Sequence, residues 1–189
     1  MVHTRRRIGA FCGLLGIAGA LAAFCALPLS VPLLRQHPKL IKRIRARMQG
    51  AQFLTDKGVA LQGEGNYCGV ASLKMVLAAH GIDRSLTSLA SELPMTSQGT
   101  SMLALRQASM RLGVPARSWA VRPQDLSRIP LPAIAFIHGD HFVVIRSFVA
   151  SDVLEVDDPA LGKLRWPTSA FRKVWSGETL VFDPAWSPL

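Results

Sequence analysis

The apolar residues of this chain change their spacing once, near Pro115, and that change limits the folds open to it. Before it, Val70, Leu73, Val76 and Leu77 recur at helical spacing between Gly69 and His80, with Gly81 as a C-terminal stop. This first helix is expected to begin at Cys68. Two more helices are expected over 86–93 and 101–112, the second with Thr100 or Ser101 as N-cap and Gly113 as its end. After Pro115 the signal is that of strands. Ala133 to Ile137 and His141 to Phe148 are short runs rich in β-branched and aromatic residues, joined by a tight His-Gly-Asp turn. Val153 to Val156 continues the meander, strands are expected at 163–166 and 179–182, and 169–174 reads as a helical turn. Helices followed by an antiparallel sheet define an α+β domain.

Charge separates this domain from what precedes it. The net charge of +10 would suggest a nucleic-acid partner, but residues 1–50 carry nine bases and no acid, leaving 13 bases against 12 acids in the rest. The folded part is nearly neutral, and no nucleic-acid partner is expected. No charged residue occurs from Ile8 to Leu34, a run long enough to cross a hydrocarbon core. Residues 1–34 are therefore read as a membrane anchor or signal-anchor. Residues 35–58 are read as a basic juxtamembrane linker in which Leu40, Ile41, Ile44 and Met48 form the apolar face of a helix lying on anionic headgroups. Residues 59–189 are read as the functional domain, with 51–60 a linker leading into it. The flanking bases, three before the span and six after, point to a cytoplasmic domain by charge count. A short Arg-rich tail before an apolar run is also how exported chains begin. The expectation adopted is a single-pass protein of a bacterial inner membrane with its domain on the periplasmic side.

Of the three cysteines, Cys12 and Cys25 lie in the apolar segment, so Cys68 has no partner for a disulfide within the domain. Most buried cysteines are inert apolar filling. Placement at a helix N-terminus, after glycines 63 and 65 and before Gly69, changes that reading, because free backbone N–H groups and the helix dipole favour the thiolate. A thiolate nucleophile needs a base. His80 closes a helix and is assigned a structural role, His138 is read as a turn residue, and His141 stands at the mouth of a strand that can aim its ring. The His138-Gly139-Asp140-His141 spacing lacks the further ligands of a zinc site, and no metal or cofactor is expected. Asp157 or Asp158, ending the neighbouring strand, can orient the imidazole, and residue spacing alone does not choose between them. Gln62 and the Cys68 backbone N–H are candidate donors to an oxyanion.

Gln62 six residues before Cys68-Gly69 at a helix start, Gly99-Thr100-Ser101 before another helix, His141-Phe142-Val143-Val144, and Asp158-Pro159 occur in that order. Together they resemble the C39 family of papain-like cysteine peptidases over residues 59–182. The resemblance implies a papain-like fold, Cys68 as nucleophile, His141 as base, Asp158 as its orienting carboxylate and Gln62 in the oxyanion hole. It also implies a peptide or protein substrate, such as a leader or exported polypeptide, and a secretion or export apparatus as partner. Many members of that family are domains of ABC exporters that cut after a double glycine. This chain differs in carrying Tyr67 where those relatives usually have Asp, and in having no nucleotide-binding motif. The competing expectation is a non-catalytic C39-like module that binds substrate for a secretion system. A third keeps the chemistry but passes the acyl group to an acceptor other than water.

Overall fold

The computed structural model describes residues 38–188, apart from Glu64. The expected anchor, 1–34, lies outside the described residues. Among those described, no helix is long and apolar enough to cross a membrane. The elements in chain order are α1 (Pro38–Met48), β1 (Gln52–Thr55), α2 (Cys68–Ala79), α3 (Leu86–Glu92), α4 (Met102–Arg111), β2 (Arg117–Ala120), a 3₁₀ segment (Pro123–Arg128), β3 (Ala133–Ile137), β4 (His141–Ala150), β5 (Val153–Asp158), β6 (Gly162–Pro167), α5 (Thr168–Phe171) and β7 (Trp175–Val181). The seven strands form one sheet in the order β1-β6-β5-β4-β3-β7-β2, and every neighbouring pair is antiparallel. This is the α+β fold expected from the sequence, with α2, α3 and α4 packed on an antiparallel sheet.

β3 and the 142–145 part of β4 are apolar on both faces because both are covered. Ile134 of β3 and Phe142 and Val144 of β4 meet Val70, Leu73 and Leu77 of α2 and Leu105 of α4. On the opposite face Ala135, Ile137, Val143, Ile145, Leu154 and Val156 are closed in by Leu126, Phe171 and Trp175. Nine of the 12 residues of α2 are buried, so it lies between the sheet and the outer helices rather than on the surface. α4 starts where expected: the Ser101 hydroxyl accepts from the Ala104 N–H at 3.1 Å, satisfying a donor that the first turn leaves open.

Two strands fall outside the expectations, β1 and β2, the outermost two of the sheet. β1 lies inside the segment read as a linker and pairs with β6 through Gln52↔Arg165 and Phe53↔Leu164. Its side chains are mostly exposed, so it has no apolar alternation to announce it. α1, expected as an amphipathic helix, forms, but it meets the domain through a small residue, not through its apolar stripe. Ala46 is buried, the Gln49 carbonyl accepts from the Trp166 indole N–H at 3.0 Å, and Leu40, Ile41, Ile44 and Met48 all face outward.

Phe171 seals the face of the sheet opposite α2. It is fully buried, edge-on to Trp166 at 5.5 Å between ring centroids and 6.1 Å from Trp175. Phe171→Ala is expected to destabilise the domain by about 3–5 kcal/mol through lost burial and the cavity left behind. Urea unfolding followed by tryptophan fluorescence measures the loss.

Candidate active site

The sheet register decides between the two aspartates. β5 pairs with β4 through Val144↔Asp157 and Ile145↔Val156. Side chains alternate along a strand, so Asp157 shares a face with Val144 and Arg146, while Asp158 shares the opposite one with Val156, Val143 and His141. The contacts follow this alternation. Asp157 Oδ2 pairs with Arg146 Nε at 3.0 Å, and burial raises its pKa against the pull of Arg146. Asp158 Oδ1 lies 2.8 Å from His141 Nε2 and also accepts from the Ala160 N–H at 2.7 Å, which closes the turn through Pro159 and fixes the carboxylate.

With Nε2 engaged by Asp158, Nδ1 is the ring nitrogen left to face the Cys68 sulfur, and the interaction between the two groups shifts both pKa values. Cys68 opens α2 and is buried, and the sulfur also accepts from the backbone N–H groups of Phe142 and Gly69. Burial by itself disfavours thiolate and imidazolium alike. The contact with His141 and the two amides outweighs it at Cys68, whose pKa falls below the ordinary 9.0. Asp158 and Cys68 outweigh it at His141, whose pKa rises from 6.5 to about 9. The pair is thus shifted toward thiolate and imidazolium, the form in which sulfur is a nucleophile and the ring can release a proton. Glycine at 69 lets the start of α2 sit close to its neighbours: a Cβ there would stand 2.9 Å from Thr100 Cγ2 and 3.1 Å from the Phe142 ring.

Gln62 is held near the same place, its backbone N–H donating to the Pro159 carbonyl at 2.9 Å. Its side-chain Nε2 donates to the Gly65 carbonyl at 2.8 Å, which commits one of its two amide hydrogens. The other expected histidines behave differently. His80 caps the C-terminal end of α2, about 18 Å along the helix from Cys68 by the usual rise per residue. His138 occupies the expected turn with a positive φ of 58°, its N–H donating to the Val174 carbonyl at 2.8 Å.

Two cavities meet at Cys68. The larger, about 690 Å³, has apolar walls from Met102, Leu103, Trp119, Phe136 and Phe142. The buried Thr100 hydroxyl on its wall has no protein partner. The smaller, about 210 Å³, is lined by Gln62, His141 and Asp158 together with Lys42 and Arg45 of α1. Asn66 and Gln98 also line it, with the Asn66 amide donating to the Ser97 carbonyl. Sequence reasoning passed over Lys42, Arg45, Asn66 and Gln98, because only the tertiary arrangement brings them beside the cysteine.

A buried cysteine whose pKa is lowered by a histidine that is itself held by an aspartate is an arrangement suited to nucleophilic acyl chemistry. The model of the Peptidase C39 family matches residues 56–187, and the chain belongs to that family. It is 31% identical over 131 residues to an uncharacterized protein of Methanothermobacter marburgensis, covering 69% of this chain and 92% of that one. It is also 31% identical over 134 residues to the lactococcin-G-processing and transport ATP-binding protein of Lactococcus lactis, covering 68% of this chain but only 19% of that longer protein. Among solved structures, a double glycine motif protease from an AMS/PCAT transporter, in complex with the leader peptide, superposes with a TM-score of 0.63 at 26% identity, covering 71% of this chain and 92% of that one. The domain is thus homologous to leader-processing proteases and shares their papain-like α+β fold.

The two pKa shifts set a pH dependence. Because the Cys68 pKa is lowered, thiolate persists on the acid side of 9.0, and because that of His141 is raised, imidazolium persists up to about pH 9. Alkylation of Cys68 by iodoacetamide is expected to stay fast at pH 7, where a free thiol with a pKa of about 8.5 is only a few per cent ionised. Asp158→Asn removes the charge that helps raise His141, so the alkylation profile should shift toward higher pH, measured as rate against pH by mass spectrometry.

Proposed function

We propose that this protein is a membrane-anchored cysteine peptidase that cleaves a peptide leader or an exported polypeptide. The observation that supports the reading is the 2.8 Å contact of His141 with Asp158, together with the cavity that Cys68, His141 and Asp158 line in common. The Cys68 thiolate attacks the scissile carbonyl, and charge develops on its oxygen. The Cys68 backbone N–H at the start of α2 and the uncommitted amide hydrogen of Gln62 stabilise that oxyanion. The tetrahedral intermediate collapses as His141 gives its proton to the leaving amine, and Asp158 holds the ring in position throughout. Water, deprotonated by the now neutral His141, then attacks the thioester and releases the second product with the thiol. The homologous protease bound to a leader peptide supports a leader as substrate, and the transport protein among the relatives supports an export apparatus as partner.

Membrane attachment is the second part of the proposal. It is supported by the charge-free run from Ile8 to Leu34 and by the outward apolar stripe of α1, where Leu40, Ile41 and Ile44 are between 42% and 49% exposed and Met48 is 84% exposed. Further bases flank this stripe at Lys39, Arg43 and Arg47, which suits an anionic headgroup layer. We place the domain on the periplasmic side of a bacterial inner membrane.

Cys68→Ala is expected to abolish cleavage of a leader-bearing peptide while leaving urea stability nearly unchanged, and His141→Ala to slow it by about 10²–10⁴-fold. Cleavage at the wild-type rate by Cys68→Ala would remove the assignment, and covalent labelling of Cys68 by E-64, lost in His141→Ala, would support it. A reporter pair of alkaline phosphatase and green fluorescent protein fused after Leu189 reads the topology, with phosphatase activity the expected result.

A further inference from the structure

Lys42 and Arg45 line the smaller cavity together with Cys68 and His141, from a helix that precedes residues 56–187, the span matched by the family model. The two cavities differ in which reacting group they reach. Both open on the Cys68 sulfur, but only the smaller is lined by His141 and Gln62. Since the imidazolium delivers its proton to the departing amine, the polypeptide leaving first has to lie on the histidine's side of the sulfur. This assigns the larger, apolar cavity to the acyl half of the substrate and the smaller one to the half that follows the cut.

The charge around the smaller cavity is unbalanced. Lys42 and Arg45 contribute two cations. Of the two carboxylates that line it, Asp158 is engaged by His141, leaving Asp140 at the rim shared with the larger cavity. The remaining titratable neighbour is His138, whose pKa is lowered by burial first and by Arg45 second, with Asp140 opposing. It therefore adds little positive charge of its own near neutral pH. Both α1 bases are exposed, so their side chains can turn toward a ligand without disturbing the core. Ala46 and the Gln49 carbonyl pin this face of α1 against the domain and keep the two cations at the wall of the cavity that His141 also lines.

We propose that the smaller cavity is a subsite for a carboxylate carried by the substrate within the first few residues after the scissile bond, with Lys42 and Arg45 as its specificity-determining residues. The carboxylate belongs to an Asp or Glu side chain or to the C-terminus of a short released piece. The assignment of sides rests on the peptidase reading above; the cationic wall does not. The apolar cavity selects for shape on one side of the cut, and the cationic wall selects for charge on the other.

Two measurements on the full chain in detergent test the subsite and separate its failure from that of the peptidase reading. The first compares alkylation of Cys68 by anionic iodoacetate and neutral iodoacetamide at pH 7. The iodoacetate-to-iodoacetamide rate ratio is expected to fall about fivefold in the double variant Lys42→Glu/Arg45→Glu, and by less in Lys42→Gln/Arg45→Gln, as expected for two exposed charges. Raising the salt concentration should shrink the difference. The second uses internally quenched peptides with Gly-Gly before the cut and Glu, Gln or Lys at the second position after it, amidated at the C-terminus, plus one set ending there in a free carboxylate. For wild type, kcat/KM should favour Glu over Gln by about fivefold, and the charge reversal should favour Lys. Preference for the free terminus over Glu would identify the terminal carboxylate as the source. A rate ratio that does not change between wild type and the charge reversal overturns the subsite whether or not peptides are cut. A ratio that falls while no peptide is cleaved keeps the cationic subsite and overturns the peptidase reading.

Discussion

Everything chemical in this domain depends on the imidazole of His141 lying between a sulfur and a carboxylate in a place largely closed to water. Burial alone would neutralise both members of the pair, as a thiol and a neutral ring. Contact with Asp158, with the sulfur and with two backbone amides reverses that outcome, so that the charges support each other where solvent does not. The arrangement is only as good as its fixing. The carboxylate is tied to the Ala160 amide, the sulfur to the first turn of a buried helix, and the ring to the first residue of a strand inside the sheet.

The fold supplies these three fixings from separate parts of the chain. α2 lies under two other helices and on the sheet, so its first residue has little freedom to shift. β4 and β5 lie side by side within the sheet, and their register carries Asp158 to His141 and sends Asp157 to Arg146. Asp157, itself buried, then pairs with the partly exposed Arg146, while its neighbour lies beside His141. A shift of that register by one residue would exchange the two roles.

Much of this was legible in the sequence, and the parts that were not have a common cause. α2, α4 and the β3–β4 hairpin announce themselves because their apolar periodicity reflects their own burial. Cys68 and His141 stand out as a helix start and a strand start. Between Asp157 and Asp158 the residues alone were silent, and family resemblance pointed to the one that the register places beside His141. β1 and β2 are edge strands whose exposed side chains leave no alternation, so only their partners β6 and β7 define them. The α1 bases were legible as charge but not as part of a cavity wall, because the other walls come from residues distant in the chain. The apolar stripe faces away from the domain, and the small Ala46 makes the contact.

α1 therefore has two unlike surfaces, one lining the catalytic cleft and one turned outward. A helix with its side chains is about 10–12 Å across, so the cleft stands roughly one such diameter above whatever plane the outer stripe rests on. Resting on a bilayer, the helix would act as a spacer that sets the height of the scissile bond. Polypeptides just emerging from that plane would reach the sulfur after only a few extended residues, whereas a folded body lying close to it would be too thick to enter. Selection among substrates would then begin with distance from the lipid, before any side chain is read.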